Sequence, residues 1–165
     1  MVHELAEYEG AAHLCHLHED QLLAALFPDL ASATGSGGPA ALFGHVAVDR
    51  ADQPLGFALW FLNFSTWEGV HGIYLEDLYV QQQARGTGAG RLLLATLAAL
   101  CVERGYRRLE WWVLDWNPAR QFYGAIGAAA VDEFVPYRLT GAALTALAQQ
   151  APPPGAAVSG PTSAG

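Results

Sequence analysis

Two acids stand side by side in an otherwise apolar run, Tyr74-Leu75-Glu76-Asp77-Leu78-Tyr79-Val80. A carboxylate there can bind an ammonium, or accept its proton directly or through a water. Neighbours on a strand face opposite sides, so Glu76 and Asp77 enter one pocket only if a bulge distorts the strand. Shortly after comes Arg85-Gly86-Thr87-Gly88-Ala89-Gly90-Arg91, which opens into a Leu-rich stretch. A Gly-rich turn leading into a helix exposes backbone N–H groups that the first helical turn cannot satisfy. The helix dipole adds positive charge at the same place, so such a turn suits a phosphate. A Walker loop needs Lys and then Ser or Thr after its last Gly, where Arg91 and Leu92 stand here. The dinucleotide fingerprint needs a third Gly where Arg91 falls, so it fails too. The pattern that fits is Arg-x-x-Gly-x-Gly at Arg85, Gly88 and Gly90. The alternative is a strand-to-helix turn that holds no ligand.

Two further pairs place an aromatic ring beside an acid, Tyr8-Glu9 and Asp115-Trp116. Such pairs suit an alkyl-ammonium through cation–π attraction and charge pairing. They equally suit a capped helix end and a Trp at the end of a strand. His13, Cys15, His16 and His18 invite a metal reading. Their spacing converges on no regular four-ligand site and no distant Cys pair completes it, so no metal is expected.

The elements that must position these groups are legible from periodicity and punctuation. Residues 3–9 read as the end of a helix, 10–17 as a loop, and 18–27 as a second helix ending near Pro28. Residues 32–39 are Gly/Ser-rich and read as a surface loop. Strands are expected over 41–48, 55–64 and 73–80, an antiparallel meander. After the Gly-rich turn a helix runs to Arg104, with an apolar stripe through Leu92, Leu93, Leu94, Leu97, Leu100 and Cys101 and a stop at Gly105. Residues 108–114 form the next strand, with Trp111 and Trp112 on opposite faces. A strand-helix-strand unit of this kind predicts parallel pairing. Asn117 reads as an N-cap with Pro118 at the first helical position, and the short helix 118–126 carries Phe122 and Tyr123 and stops at Gly127. A last strand over 129–139 and a helix over 142–149 follow. One domain over residues 1–150 and a disordered Pro/Ala/Gly tail over 151–165 are expected.

A chain of 165 residues, 52% of them hydrophobic, is long enough and apolar enough to bury one core. No apolar run reaches the roughly 18 residues that cross a membrane. The opening residues lack the basic and apolar blocks of a signal peptide, and two cysteines make no disulfide framework. A reducing, cytoplasmic setting is expected. The net charge of −8 disfavours nucleic acid and is compatible with a small cationic partner.

The Arg85–Gly88–Gly90 pattern resembles the pyrophosphate-binding motif of the GNAT superfamily of acetyl-CoA-dependent N-acetyltransferases. HELAEYE, YLEDLYV, RGTGAG, VLDWN, QFYGAIGA and YRLTG together resemble its diamine/spermidine branch, including thialysine-type relatives. The resemblance covers residues 3 to about 148. It implies an α/β fold, a mixed, mainly antiparallel central sheet flanked by helices. It also implies a first strand and most of a helix ahead of residue 3, so the usual N-terminal strand is expected to be missing.

The resemblance implies roles as well. Arg85, Gly86, Thr87, Gly88, Ala89, Gly90 and Arg91 would hold the pyrophosphate of acetyl-CoA. Backbone groups of Leu78, Tyr79 and Val80 would bind the pantetheine arm and polarise the thioester, and Asn117 belongs to the same cofactor set. Tyr123, the Tyr of the Phe-Tyr pair, would protonate the departing thiolate, and Glu76 would meet the substrate amine as the second catalytic group. Tyr8, Glu9, Asp77, Asp115 and Trp116 join Glu76 in binding the substrate. The implied reaction is direct attack of a small primary amine on acetyl-CoA, the amine being a diamine, a polyamine or a thialysine-like amino acid. A homodimer is implied too. The alternatives are a protein or antibiotic amine as acceptor, or an acyl-CoA-binding protein without catalysis.

Overall fold

The computed structural model describes residues 1–31 and 39–153. Most of the expected loop over 32–39 and most of the expected tail therefore lie outside the described residues. The chain divides into two compact units, Met1–Trp116 and Asn117–Gly165.

The first unit is built on a four-stranded sheet in the order β1-β2-β3-β4. Its strands are β1 (Phe43–Val48), β2 (Pro54–Ser65), β3 (Val70–Val80) and β4 (Leu109–Glu110). β1 with β2 and β2 with β3 run antiparallel, whereas β3 with β4 is parallel. The parallel pair follows from the crossover helix between them, as the strand-helix-strand pattern predicts. The helices are α1 (Val2–Tyr8), α2 (Glu19–Leu26), α3 (Pro28–Ala31) and α4 (Ala89–Arg104). The second unit holds α5 (Ala119–Ala125) and α6 (Gly141–Ala148).

Both faces of β2 are buried, so it reads as an unbroken apolar run. Phe57 and Leu59 point to one face, where they join Tyr79 and pack against Met1, Val2 and Leu5 of the N-terminal segment and Leu22 and Leu26 of α2. Ala58 and Trp60 alternate onto the other face and are also buried. Trp60 stacks on Phe43 at 4.6 Å, and its Nε1 donates to His45 Nδ1 at 3.1 Å. α4 packs on the sheet through Ala89, Leu93, Leu94, Leu97 and Cys101. Leu92 falls off the expected stripe and is 65% exposed, because at 100° per residue it points away from the sheet. Gly105 ends α4 in the left-handed region at φ +71°, the stop its position predicts.

Two expected strands differ. The strand over 108–114 pairs only at Leu109 and Glu110, opposite Ile73 and Tyr74. The strand over 129–139 is absent: the segment turns at Asp132–Glu133, and Pro136 removes a ladder donor. Val131, Phe134, Val135 and Tyr137 are exposed there. α5 starts one residue later than expected, at Ala119, although Asn117 Oδ1 still accepts from the Ala119 N–H at 2.9 Å.

Candidate functional site

β3 is not a regular strand at its acids. Leu59 of β2 pairs with Asp77, and the next residue, Trp60, pairs with Leu75. Glu76 is thus the extra residue of a β-bulge, the one circumstance in which neighbouring acids escape strict alternation. Glu76 is exposed and Asp77 is half-buried. Burial first, and then the charges of Glu76 and Glu9, together push the Asp77 carboxyl up to about 6 from its ordinary 3.8. Three carboxylates from two segments therefore share one negative field. Nothing in the sequence around Glu76, neither Gly nor Pro, marks the bulge.

The turn that follows β3 is held by its own small groups. Thr87 Oγ1 donates to the Ala84 carbonyl at 2.7 Å, and Ala84 is buried. Gly86 and Gly88 take φ of +81° and +91°, and a Cβ on either would meet nothing within 4 Å. Glycine is needed there for the left-handed backbone, and the space beside it is open. Gly88 is the N-cap of α4 and offers no side chain to cap it. The first internal bond of α4 runs from the Leu92 N–H to the Gly88 carbonyl at 2.9 Å. The amides of Ala89, Gly90 and Arg91 therefore have no partner within the helix. A Cβ on Gly90 would stand 3.5 Å from Val80 Cγ2, so the helix start sits against the end of β3. An open glycine turn, unpaired helical amides and a positive dipole end fit a diphosphate. Among the described residues no cluster of His, Cys, Asp and Glu could hold a metal ion.

The aromatic residues expected near the substrate do meet within the first unit. The Tyr8 and Trp116 rings lie 6.3 Å apart. The Arg85 guanidinium carbon sits 4.6 Å over the Tyr8 ring, and its Nε donates to the Val80 carbonyl at 3.2 Å. The Arg-x-x-Gly-x-Gly pattern places Arg85 in the phosphate turn and carries no sign of its contact with Tyr8, because the partners are far apart in the chain. Asp115 is exposed. Of the cofactor set on β3, the Leu78 and Val80 side chains are partly exposed, whereas Tyr79 is buried with its hydroxyl on Glu4.

In the second unit Tyr123 lies on α5, its ring 5.4 Å from that of Phe122. Its carbonyl accepts from the Ala128 N–H at 3.0 Å, and Gly127 turns the chain there at φ +91°.

Residues 5–128 match the acetyltransferase (GNAT) family. Thialysine N-epsilon-acetyltransferase from Bos taurus is 31% identical over 144 residues, covering 81% of this chain and 77% of that enzyme. L-ornithine N5-acetyltransferase from Arabidopsis thaliana is 41% identical over 93 residues, which span 56% of this chain and 41% of that enzyme. Among solved structures, an integron cassette protein from the mobile metagenome of V. cholerae superposes with a TM-score of 0.69 at 30% identity. That match covers 88% of this chain and 86% of the other.

Proposed function

The chain belongs to the acetyltransferase (GNAT) family, and on that premise we propose that it moves an acetyl group from acetyl-CoA to a primary amine of a small substrate. One observation carries the reading. β3 carries the acid-bearing bulge in its second half, and a single 3-10 turn over Gln82–Ala84 leads from its end to the glycine turn and the unpaired amides at the start of α4. An anion site and a cation-attracting carboxylate group thus lie at one end of one strand.

Acetyl-CoA supplies the activated acetyl thioester. The chain's own residues do the rest. The amides from Gly86 to Arg91 take the diphosphate, and backbone groups of Leu78 to Val80 receive the pantetheine arm and polarise the thioester carbonyl. Glu76 draws in the ammonium and accepts its proton, since only a neutral nitrogen attacks. Asp77 and Glu9 deepen the negative field around it, and Tyr8 and Trp116 cover the alkyl part of the amine. Tyr123 gives a proton to the departing thiolate. Asn117 completes the cofactor set. Tyr123 and Asn117 take these roles from their places in the Asn and Phe-Tyr motifs.

The relatives' named substrates, thialysine and ornithine, each carry a side-chain amine on an amino acid. That supports an acceptor with a terminal ammonium on a short alkyl chain, a class that includes diamines and polyamines. Family resemblance also supports a homodimer, and the two cysteines and the opening residues, which lack the blocks of a signal peptide, support a cytoplasmic setting. Among the described residues no helix is long and apolar enough to cross a membrane.

The test is thiol release from acetyl-CoA with a panel of diamines, polyamines, thialysine, ornithine, peptide N-termini and aminoglycosides. Turnover confined to the small alkyl amines supports the proposal. Turnover only on peptides or aminoglycosides moves the acceptor class. Saturable coenzyme A binding with no turnover on any amine makes the chain a binding protein.

A further inference from the structure

We propose that Arg85 is a positioning residue for the amine wall, holding Tyr8, and through it Trp116, beside the acids of β3. The proposal rests on the acetyl-transfer reading and adds to it a physical link between the donor turn and the acceptor side.

The argument begins with α1. This helix has only seven residues and no buried residue, so it is marginal by itself. Its C-terminal end carries Glu7 and then Glu9, with no basic residue in the last turn. Acids at a helix C-terminus oppose the dipole, which favours a cation there. Arg85 supplies that cation from another segment. Its guanidinium lies over the face of Tyr8, the last residue of α1, at 4.6 Å. The side chain is fixed at a second point, where Nε donates to the Val80 carbonyl at 3.2 Å. Two anchors on one planar group set its direction. The Tyr8 ring in turn stands 6.3 Å from that of Trp116, so what holds Tyr8 also bears on the Trp116 contact. Glu9, next in the chain, is near enough to Asp77 to act on its carboxyl. Loss of the Arg85 contact would free Tyr8, Glu9 and the Trp116 contact together. A residue serving the phosphate turn alone needs none of this geometry.

Arg85 and Tyr8 are both exposed, so substituting either leaves the core intact. The experiment is a double-mutant cycle with acetyl-CoA KM, amine KM and kcat measured separately. The variants are Arg85→Gln, Arg85→Lys, Tyr8→Leu, Tyr8→Phe and the pair Arg85→Gln/Tyr8→Leu. Arg85→Gln and Tyr8→Leu should each raise amine KM about two- to fivefold, the size of one exposed cation–π contact. The pair should be no worse than the poorer single variant. Tyr8→Phe, which keeps a ring face, should stay close to wild type, and Arg85→Lys should recover part of the amine KM. The inference is overturned if Arg85→Gln alters acetyl-CoA KM alone, or if the two amine effects multiply. A wild-type chain that acetylates no amine overturns the acetyl-transfer reading and this inference with it. An active chain with independent residues overturns only the inference.

Discussion

The Tyr79 hydroxyl donates a 2.9 Å hydrogen bond to Glu4 Oε2, tying β3 to α1. Tyr79 is 7% exposed and packs with Phe57 and Leu59, so its ring belongs to the core while its hydroxyl reaches the surface. The bond lies at the end of β3 nearest the phosphate turn. It ties α1 to β3 one helical turn before Tyr8 and Glu9, and so bears on where those two can stand. Burial raises the phenol pKa, helped by the bond to Glu4 and opposed by the Arg85 charge, so the phenol remains a donor at neutral pH.

Tyr79→Phe removes that donor and leaves the ring. Glu4 has half its side chain in water and can be resolvated, so the loss should be about 1 kcal/mol. Urea denaturation measures it. A variant as stable as wild type would show that the bond contributes nothing to the docking of α1.

Tyr123→Phe should keep the fold, because the ring contact with Phe122 survives. Turnover should fall by about a hundredfold, the low end of what a positioned general acid contributes. Steady-state kinetics and a melting curve separate the two effects. Undiminished kcat would take Tyr123 out of the mechanism.

Gly88→Ala places a methyl where φ is +91° and where no atom stands within 4 Å. The backbone strain should cost about 1 kcal/mol of stability. The methyl also enters the open space assigned to the diphosphate, so coenzyme A affinity should fall on the order of tenfold, which is about 1.4 kcal/mol. Calorimetry with coenzyme A reads this directly. Unchanged affinity would place the diphosphate elsewhere.

Asp77 predicts a slope of stability with pH. Its folded pKa is about 6, above its ordinary 3.8, so the folded chain binds the proton more tightly than the unfolded one. That contribution is fully present below about pH 4 and is lost as pH rises to about 6. Its size, discounted for solvent, is on the order of 1–2 kcal/mol. Denaturation midpoints from pH 4 to 7 should fall in the wild type more steeply than in Asp77→Asn. Parallel curves for the two proteins would contradict the assigned shift.

Much of the first unit is legible in the chain. Apolar runs broken by turn residues give β1 to β3, and the spacing of Leu93, Leu94, Leu97 and Cys101 gives the buried face of α4. The glycine turn is legible because positive φ restricts residue choice so sharply that Gly86 and Gly88 mark their own conformation. These features are local, set by neighbours along the chain. The full length of β4 and the missing strand over 129–139 were not legible in this way. A strand exists only where a partner offers its backbone, and apolar composition does not report the partner.

By itself, then, the sequence determined which residues could bind an anion and which could meet a cation. Steric limits on the backbone and side-chain periodicity act within a few residues, so both are written locally. Tertiary structure alone decided that Glu76 is the extra residue of a bulge, that Asp77 is the acid whose pKa is raised, and that Arg85 lies over Tyr8. Each of these depends on groups distant in the chain, β2 pairing for the bulge, burial and then Glu9 for the carboxyl, and α1 for the guanidinium. Register, burial and charge proximity are properties of the packed chain, and no spacing of residues encodes them.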